Sequence, residues 1–281
     1  MGILYVVATP IGNLEDMTHR AVRVLKEVAL IAAEDTRKTR KLLTHFDIHT
    51  PMESYHRHST AFKRERIVAA LGTADVAVVS EAGMPGVSDP GQDLIAAAIA
   101  AGHRVVPVPG PSALLSALVV SGLPTERFLF VGFLPRVRAD RRKLLASLAT
   151  APYTLVIFEA PHRLLASLAD LEAELGDREA AAARELTKVH EEVVRGRLSE
   201  IRRTFEERPP RGEFTLVVAQ APAPSTREAA IGVPSVPELA RQLRAEGLRA
   251  KDAVRRLVED AGVSRNEAYQ AWLESGRTAR A

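Results

Sequence analysis

Three segments carry turn-forming residues directly after apolar runs, and two later ones gather acids and bases. Thr9-Pro10-Ile11-Gly12-Asn13-Leu14 follows the run 3–8 (ILYVVA). Ligands of open α/β sheets bind at the carboxyl ends of strands. Glycine there allows close backbone approach, and Thr9 or Asn13 can hydrogen-bond a polar ligand, although an ordinary strand-to-helix turn has the same composition. Ser80 to Gly91 holds three glycines and two prolines in twelve residues, a pre-shaped loop able to clasp a ligand or simply an irregular connection. Pro107-Val108-Pro109-Gly110-Pro111-Ser112-Ala113 ends a third run, with Ser112 placed to cap the next helix. Further on, EAPHR offers Glu159, His162 and Arg163, and ARELTKVHEE offers Arg184, Glu185, Lys188, His190 and Glu191. Such groups activate weak nucleophiles or stabilise developing charge. Lys188 fits a base if its pKa is lowered, or a fixed cation; Glu159 fits a base equally well. The alternative makes Glu185 and Lys188 a local i,i+3 ion pair and His162 a helix-start residue.

What is missing narrows the chemistry. The chain has no G-x-G-x-x-G and no Walker lysine, so dinucleotide and phosphoryl-transfer chemistry lose their main support. It has no cysteine, and its eight histidines form no HExxH pair, which excludes disulfides and thiolate nucleophiles and leaves no metal expected.

The elements that must position these groups are legible as periodicity. Runs at 3–8, 75–80 and 104–108 alternate with helical spacing around 18–27, 60–71 and 92–101, which predicts a mostly parallel, doubly wound sheet. Runs at 128–133, 153–158, 180–185 and 214–219 predict a second α/β domain. The expected division is residues 1–122, 123–222, a Pro/Ser/Ala-rich linker at 223–234, and a helical domain at 235–281. Ser235 with Glu238 and Ser264 with Glu267 fit capping boxes, and Gly247 and Gly262 sit where helices stop. Leu239, Leu243, Val254, Leu257, Val258, Tyr269, Trp272 and Leu273 supply the apolar faces of a helix-turn-helix-like bundle.

Charge points to a polyanion by its distribution, because 38 basic residues against 35 acidic ones leave a net charge of only +3. Arg37, Lys38, Arg40 and Lys41 form one cluster, and Glu34 and Asp35 precede it at a strand end. Arg57, Lys63 and Arg64 lie with Tyr55 and Phe62 in a second, where aromatics between cations suit unpaired bases; an exposed loop leading into an amphipathic helix is the competing reading. Arg138, Arg141 and Arg142 lie in a third, and each cluster is equally compatible with a solvated helix face. No apolar run approaches a membrane span and no leader is evident, so a cytosolic, soluble protein is expected.

LYVVATPIGNL, ALIAAEDTRKTRKLL, SEAGMPGVSDPG, VPVPGPSA, FVGFLPR, IFEAPHR, ARELTKVHEEVVRG and GEFTLVV, in this order, resemble the ribosomal RNA small subunit methyltransferase I family, within the tetrapyrrole-methylase fold superfamily. The resemblance implies two α/β domains with S-adenosylmethionine in the cleft between them, a small all-α C-terminal domain, and a homodimer. It also implies 2′-O-ribose methylation of a cytidine in the decoding region of 16S rRNA, on free rRNA or the small ribosomal subunit. Matched by motif, the cofactor cleft includes Thr9, Pro10, Glu81, Gly83, Met84, Pro85, Val87, Ser112, Ala113 and Phe158. Lys188 and Glu159 are the catalytic candidates, and Arg37, Arg40, Arg57, Lys63, Arg64, Arg138, Arg141 and Arg142 the RNA contacts. Glu81 departs from the family's usual aspartate, and Met84 stands where tetrapyrrole methylases carry the acid of a Gly-Asp-Pro turn. A tetrapyrrole or other small-molecule methyltransferase of the same fold is the alternative; a non-catalytic nucleic-acid-binding protein would leave the three loops unexplained.

Overall fold

The computed structural model describes residues 1–56, 59–89, 91–222 and 236–277. Short β-branched runs form the centre of the first sheet: β1 (Ile3–Val7), β2 (Leu30–Ala33), β3 (Met52–Ser54), β4 (Val76–Val79) and β5 (Arg104–Val108) lie in the order β3-β2-β4-β1-β5, all parallel. Every residue of β4 is buried, as a strand covered on both faces requires. One face packs on α1 (His19–Glu27) and α2 (Thr36–His45) through Val24, Leu25, Leu42 and Leu43, and the other on α3 (Ala61–Ala70) and α4 (Gly91–Ala100) through Ile67 and Leu94. This is the predicted doubly wound arrangement. Strand β3 escaped periodicity because MES is three half-buried residues with no apolar alternation.

α5 (Ala113–Ser121) leads into the second sheet, formed by β6 (Phe128–Phe133), β7 (Thr154–Glu159), β8 (Glu179–Arg184), β9 (Glu192–Arg197) and β10 (Phe214–Val218). Its order is β6-β7-β10-β8-β9, and only β6 and β7 are parallel. β9 reads EVVRGR, an edge strand too charged for its apolar run to stand out. One face is covered by α6 (Arg138–Ser147), α7 (Leu164–Leu175) and α8 (Leu198–Glu207) around Leu145, Leu168, Ile201 and Phe205. The other receives α5, whose Ala117 and Leu118 pack on Val156, Ala181, Ala183 and Val217. Both sheets therefore belong to one compact unit, Met1–Ala221. The boundary expected at 122/123 falls inside it, between the sheets.

A second unit, Pro222–Ala281, contains α9 (Val236–Ala245), α10 (Ala250–Ala261) and α11 (Arg265–Arg277). Ser264 and Glu267 form the expected capping box, with Glu267 accepting from Ser264 N at 3.0 Å and Ser264 Oγ accepting from Glu267 N at 3.3 Å. Gly262 ends α10 in the left-handed conformation. Leu243, Val254, Leu257 and Trp272 are buried, and the Arg244 guanidinium lies 4.1 Å over the Trp272 ring. Tyr269 and Leu273, predicted for the core, stand 48% and 43% exposed. The expected linker at 223–234 and the cap Ser235 lie outside the described residues.

Two charge clusters differ from expectation. Arg141 does not face solvent: its side chain is 6% exposed and its Nε donates at 2.8 Å to Asp170, itself 2% exposed, while Arg138 Nε donates to the other carboxylate oxygen at 3.1 Å. Arg142 is paired with Glu174. The cations of α6 therefore tie it to α7, and the period that places Arg141 beside Leu145 on the inner face decides this. Tyr55, expected to stack bases, is buried against Ile67 and Leu94, whereas Phe62 is 72% exposed. Arg57 lies outside the described residues.

Burial would raise the Asp170 carboxyl, but hydrogen bonds from Arg141 and Arg138 outweigh it and hold it below the ordinary range. Its stabilisation is therefore complete above the unfolded value of about 3.9 and is lost as pH falls through the lower folded value. Arg141→Ala strands a buried carboxylate and is expected to cost about 3–5 kcal/mol in urea denaturation at pH 7, with Arg142→Ala nearly neutral. The Arg141 deficit should shrink as pH is lowered below 4; equal effects of both substitutions at pH 7 would contradict this assignment.

Candidate active site

The three turn-rich loops leave the same edge of the first sheet. Thr9 and Gly83 pair across the gap between the β1 turn and the β4 loop, with Thr9 N donating to Gly83 O at 2.9 Å and Gly83 N to Thr9 O at 3.0 Å. Gly83 has φ +79°, a left-handed conformation that admits glycine readily, and a β-carbon there would lie 3.5 Å from Ile11 and 3.7 Å from the Pro111 carbonyl. Gly110 lies so close to Ala8 that a β-carbon would approach its Cβ to 2.9 Å. The β1, β4 and β5 loops thus touch one another. Asp89 rounds off the second by accepting from Gly86 N and Gly91 N at 2.7 and 2.9 Å, and Ser112 caps α5 by accepting from Leu115 N.

The second sheet meets this edge directly. The turn 185–188 follows β8 with Glu185 and Thr187 both at positive φ, 49° and 67°. A β-carbon on Gly12 would overlap Lys188 Cγ and lie 3.0 Å from both Lys188 Cε and Thr187 Oγ1. The aliphatic stem of Lys188 therefore lies on the bare backbone of Gly12. Its Nζ donates to Glu185 Oε1 and Glu213 Oε2, each at 2.9 Å. Glu185 also accepts from Glu213 N at 2.9 Å, and Gly212, at φ +81°, leaves the room its carboxyl group occupies. Burial would lower the Lys188 ammonium, but the two carboxylates outweigh it and raise it above its ordinary value; Glu185 is held correspondingly low against its own burial. Lys188 is a cation here, which disfavours the reading as a base. The expected Glu185–Lys188 pair is present, but it is half of a two-carboxylate clamp.

Glu159 departs from expectation. It is 2% exposed, its Oε2 accepts from Ser167 Oγ at 2.5 Å, its Oε1 accepts from Ala160 N at 2.9 Å, and Arg163 lies 3.4 Å away. A carboxylate so enclosed anchors the β7–α7 junction. The alternation of β7 turns Glu159 inward and leaves Phe158 in an aromatic cluster, 4.9 Å from Phe130 and 5.7 Å from Phe133. Ser88 approaches this strand group, as a β-carbon on Gly132 would lie 3.4 Å from its Oγ. Pro85 is buried, Met84 and Ala113 are half-buried, and Val87 is 41% exposed. Glu213 is the functional candidate that periodicity did not single out; the signal was its place in GEF, immediately before β10.

Gly12 also lines a hollow of ≈ 190 Å³, together with Thr9, Pro10, Leu14, Lys38, Thr39, Lys41, Leu42, Ser80 and Glu81. Asp35 caps α2 by accepting from Arg37 N and Lys38 N, which turns Lys38 and Lys41 toward the hollow, while Arg37 and Arg40 remain exposed. Lys38 pairs with Glu81, and Glu34 Oε2 accepts from Glu81 N at 3.2 Å. Lys63 and Arg64 are half-buried on α3.

Comparison with known proteins agrees with this architecture. The model of the Tetrapyrrole (Corrin/Porphyrin) Methylases matches residues 3–202. Ribosomal RNA small subunit methyltransferase I of Synechocystis sp. is 49% identical over 276 residues, covering 98% of both chains, and that of Bacillus subtilis is 42% identical over 97% of this chain and 94% of its own. Among solved structures, diphthine synthase superposes with a TM-score of 0.60 at 14% identity over 78% of this chain and 90% of its own. Uroporphyrin-III C-methyl transferase from Thermus thermophilus, complexed with S-adenyl homocysteine, gives 0.53 at 24% identity over 79% and 98%. The structural likenesses bear on the fold alone, and the sequence identities over nearly the whole length go further: the chain belongs to the ribosomal RNA small subunit methyltransferase I family and is built on the tetrapyrrole-methylase fold.

Proposed function

We propose that the protein is an S-adenosylmethionine-dependent methyltransferase acting on the 2′-hydroxyl of a cytidine in the decoding region of 16S rRNA. The observation that carries the site assignment is the contact of Lys188 with Gly12 at the sheet edge where three ligand-type loops meet. The residues present suit the cofactor: the β4 and β5 loops, with glycines at 83, 86 and 110, offer backbone groups with little side-chain bulk. When bound, the cofactor supplies an electrophilic methyl group, with Gly83, Met84, Pro85, Val87, Ser112, Ala113 and Phe158 as its proposed surroundings.

The chain's own residues orient and charge-balance the nucleophile. An ammonium has three N–H donors, and Lys188 commits two to Glu185 and Glu213, which leaves one for the ribose oxygen. That third donor aligns the oxygen and shares the charge it carries in the transition state. A carboxylate that takes the hydroxyl proton as the C–O bond forms keeps negative charge on the oxygen, which is the charge the ammonium stabilises. Glu213, 75% exposed and 2.9 Å from Lys188 Nζ, is the open carboxylate beside it. This role replaces the one expected of Glu159.

RNA phosphates are assigned to Arg37 and Arg40, and to Lys63, Arg64 and Arg138. Arg37 is 91% exposed, with an ion pair to Asp35 at 3.6 Å. Homodimer formation is supported by exposed apolar side chains on α5 and β6, where Leu115, Val119 and Phe133 are 50%, 69% and 55% exposed. Among the described residues no helix is long and apolar enough to cross a membrane. A cytoplasmic location is proposed from the rRNA substrate. The tetrapyrrole alternative has no observation in its favour beyond the shared fold.

Incubating the protein with labelled cofactor and small ribosomal subunits should place label on one ribose 2′-oxygen of 16S rRNA; label on a base, or on a tetrapyrrole in preference to RNA, would contradict the proposal. In the same assay, replacing Arg37 and Arg40 by alanine should lower the dependence of log affinity on log salt by about one unit per lost phosphate contact, with cofactor affinity unchanged. Light scattering should give twice the chain mass of 30.5 kDa, and Val119→Glu should return it to a single chain; a wild-type monomer would dismiss the dimer.

A further inference from the structure

The ≈ 190 Å³ hollow between the β1 turn and α2 lies below the about 300–1,000 Å³ of pockets that bury a drug-sized ligand, which suits a smaller group. It is a built depression: Thr9, Thr39, Ser80 and Leu42 are buried around it, and Ser80 Oγ is held to the Ala82 and Gly83 carbonyls at 3.3 Å. At its mouth stand a carboxylate and an ammonium already paired, Glu81 and Lys38, with side chains 43% and 59% exposed. Glu34, accepting from Glu81 N, fixes the backbone that presents the carboxylate. Gly12 is shared between this hollow and Lys188.

We propose that this hollow receives the target base after it leaves its stack, with Glu81 reading the N4 amino group of cytosine and Lys38 donating to N3 or O2. The assignment rests on the rRNA-methyltransferase reading above and adds to it the residues that choose the base. A carboxylate accepts from cytosine N4, whereas uracil presents an O4 acceptor at the same place and meets the carboxylate with like charge. Seating either base requires unstacking it, as enzymes acting on a single nucleotide do. The Glu81–Lys38 pair opens to cytosine without leaving either group short of a hydrogen-bond partner, because the base edge carries a donor beside an acceptor. With the base in the hollow, its ribose lies at the Gly12 rim, on the Lys188 side, and Lys41 faces the adjoining phosphate. Thr9, Pro10 and Glu81, expected by resemblance to hold the cofactor, are thereby assigned to the nucleotide instead.

The test compares small subunits reconstituted with cytidine or uridine at the target position. The wild type should favour cytidine in kcat/KM by at least tenfold, on the scale of roughly 10- to 100-fold for one good base contact. Glu81→Gln, whose carboxamide donates as well as accepts, should reduce that ratio about tenfold or more while S-adenosylmethionine affinity by calorimetry stays within about twofold. An unchanged cytidine-to-uridine ratio, or a loss of cofactor affinity as large as the loss of activity, would overturn the proposal. If Glu81→Gln turns over neither substrate, binding of cytidine and uridine 5′-monophosphates to the protein loaded with S-adenosylhomocysteine reads the same choice: wild type should prefer cytidine and Glu81→Gln should not, and equal wild-type affinity overturns the assignment. A wild type that methylates no small-subunit RNA at all refutes the underlying function, and the nucleotide-binding ratio remains as a separate reading of the hollow.

Discussion

The contact of Lys188 with Gly12 is the constraint on which the arrangement depends. Any side chain on Gly12 would occupy the space of the lysine stem, so the first sheet's leading turn must be bare there for the second sheet's cation to arrive. Arrival alone would leave a flexible, well-hydrated ammonium. Two residues in the left-handed region, Glu185 and Thr187, bend the turn after β8, and Glu185 then accepts from both Lys188 and the Glu213 amide. Non-glycine residues in that region carry a conformational cost, and surrounding structure must hold them there. Gly212 does part of that by yielding its side-chain volume to the Glu185 carboxyl group.

That local geometry needs the two sheets fixed against each other, and α5 supplies the fixation. Its Ala117 and Leu118 enter the apolar face of the second sheet, while Ser112 at its N-terminus belongs to the loop that ends β5 of the first. A helix capped by the site's own loop and buried in the neighbouring sheet transmits position from one to the other without a hinge between them. Burying a leucine contributes about 1.5–3 kcal/mol and an alanine less, against about 0–1 kcal/mol for an exposed ion pair, so the inter-sheet geometry is held by packing more than by the ion pairs at its rim.

Much of this was legible in the residues. Fully buried parallel strands such as β4 announce themselves as uninterrupted β-branched runs, and turn residues after β1, β4 and β5 mark the ligand edge, because one end of a parallel sheet gathers every such loop. Edge strands were harder: β3 and β9 carry Glu53, Glu192 and Arg195 where a central strand would carry valine. Charge misled most. Arg141 and Glu159 have the composition of surface and catalytic groups, yet the helical period and the strand alternation turn both inward, toward Asp170 and Ser167. Spacing along the chain fixes which residues share a face, and says nothing about whether the partner on that face already satisfies them. Glu213 shows the converse, a single acid in no cluster of its own that the fold carries to Lys188 from 25 residues away.

The central claim is that Lys188 works as a cation positioned by Gly12 and balanced by Glu185 and Glu213. Single-turnover methyl transfer measured from pH 6 to 10 for the wild type, Lys188→Met and Gly12→Ala, alongside cofactor affinity by calorimetry, tests it most directly. Wild-type transfer should show no ascending limb that tracks lysine deprotonation, because the two carboxylates raise the ammonium above its ordinary value. Losses of about 100-fold or more are expected for Lys188→Met and a substantial loss for Gly12→Ala, with cofactor affinity preserved in both. Near-wild-type transfer by Lys188→Met, or a wild-type rate that climbs with lysine deprotonation in this range, would contradict the claim.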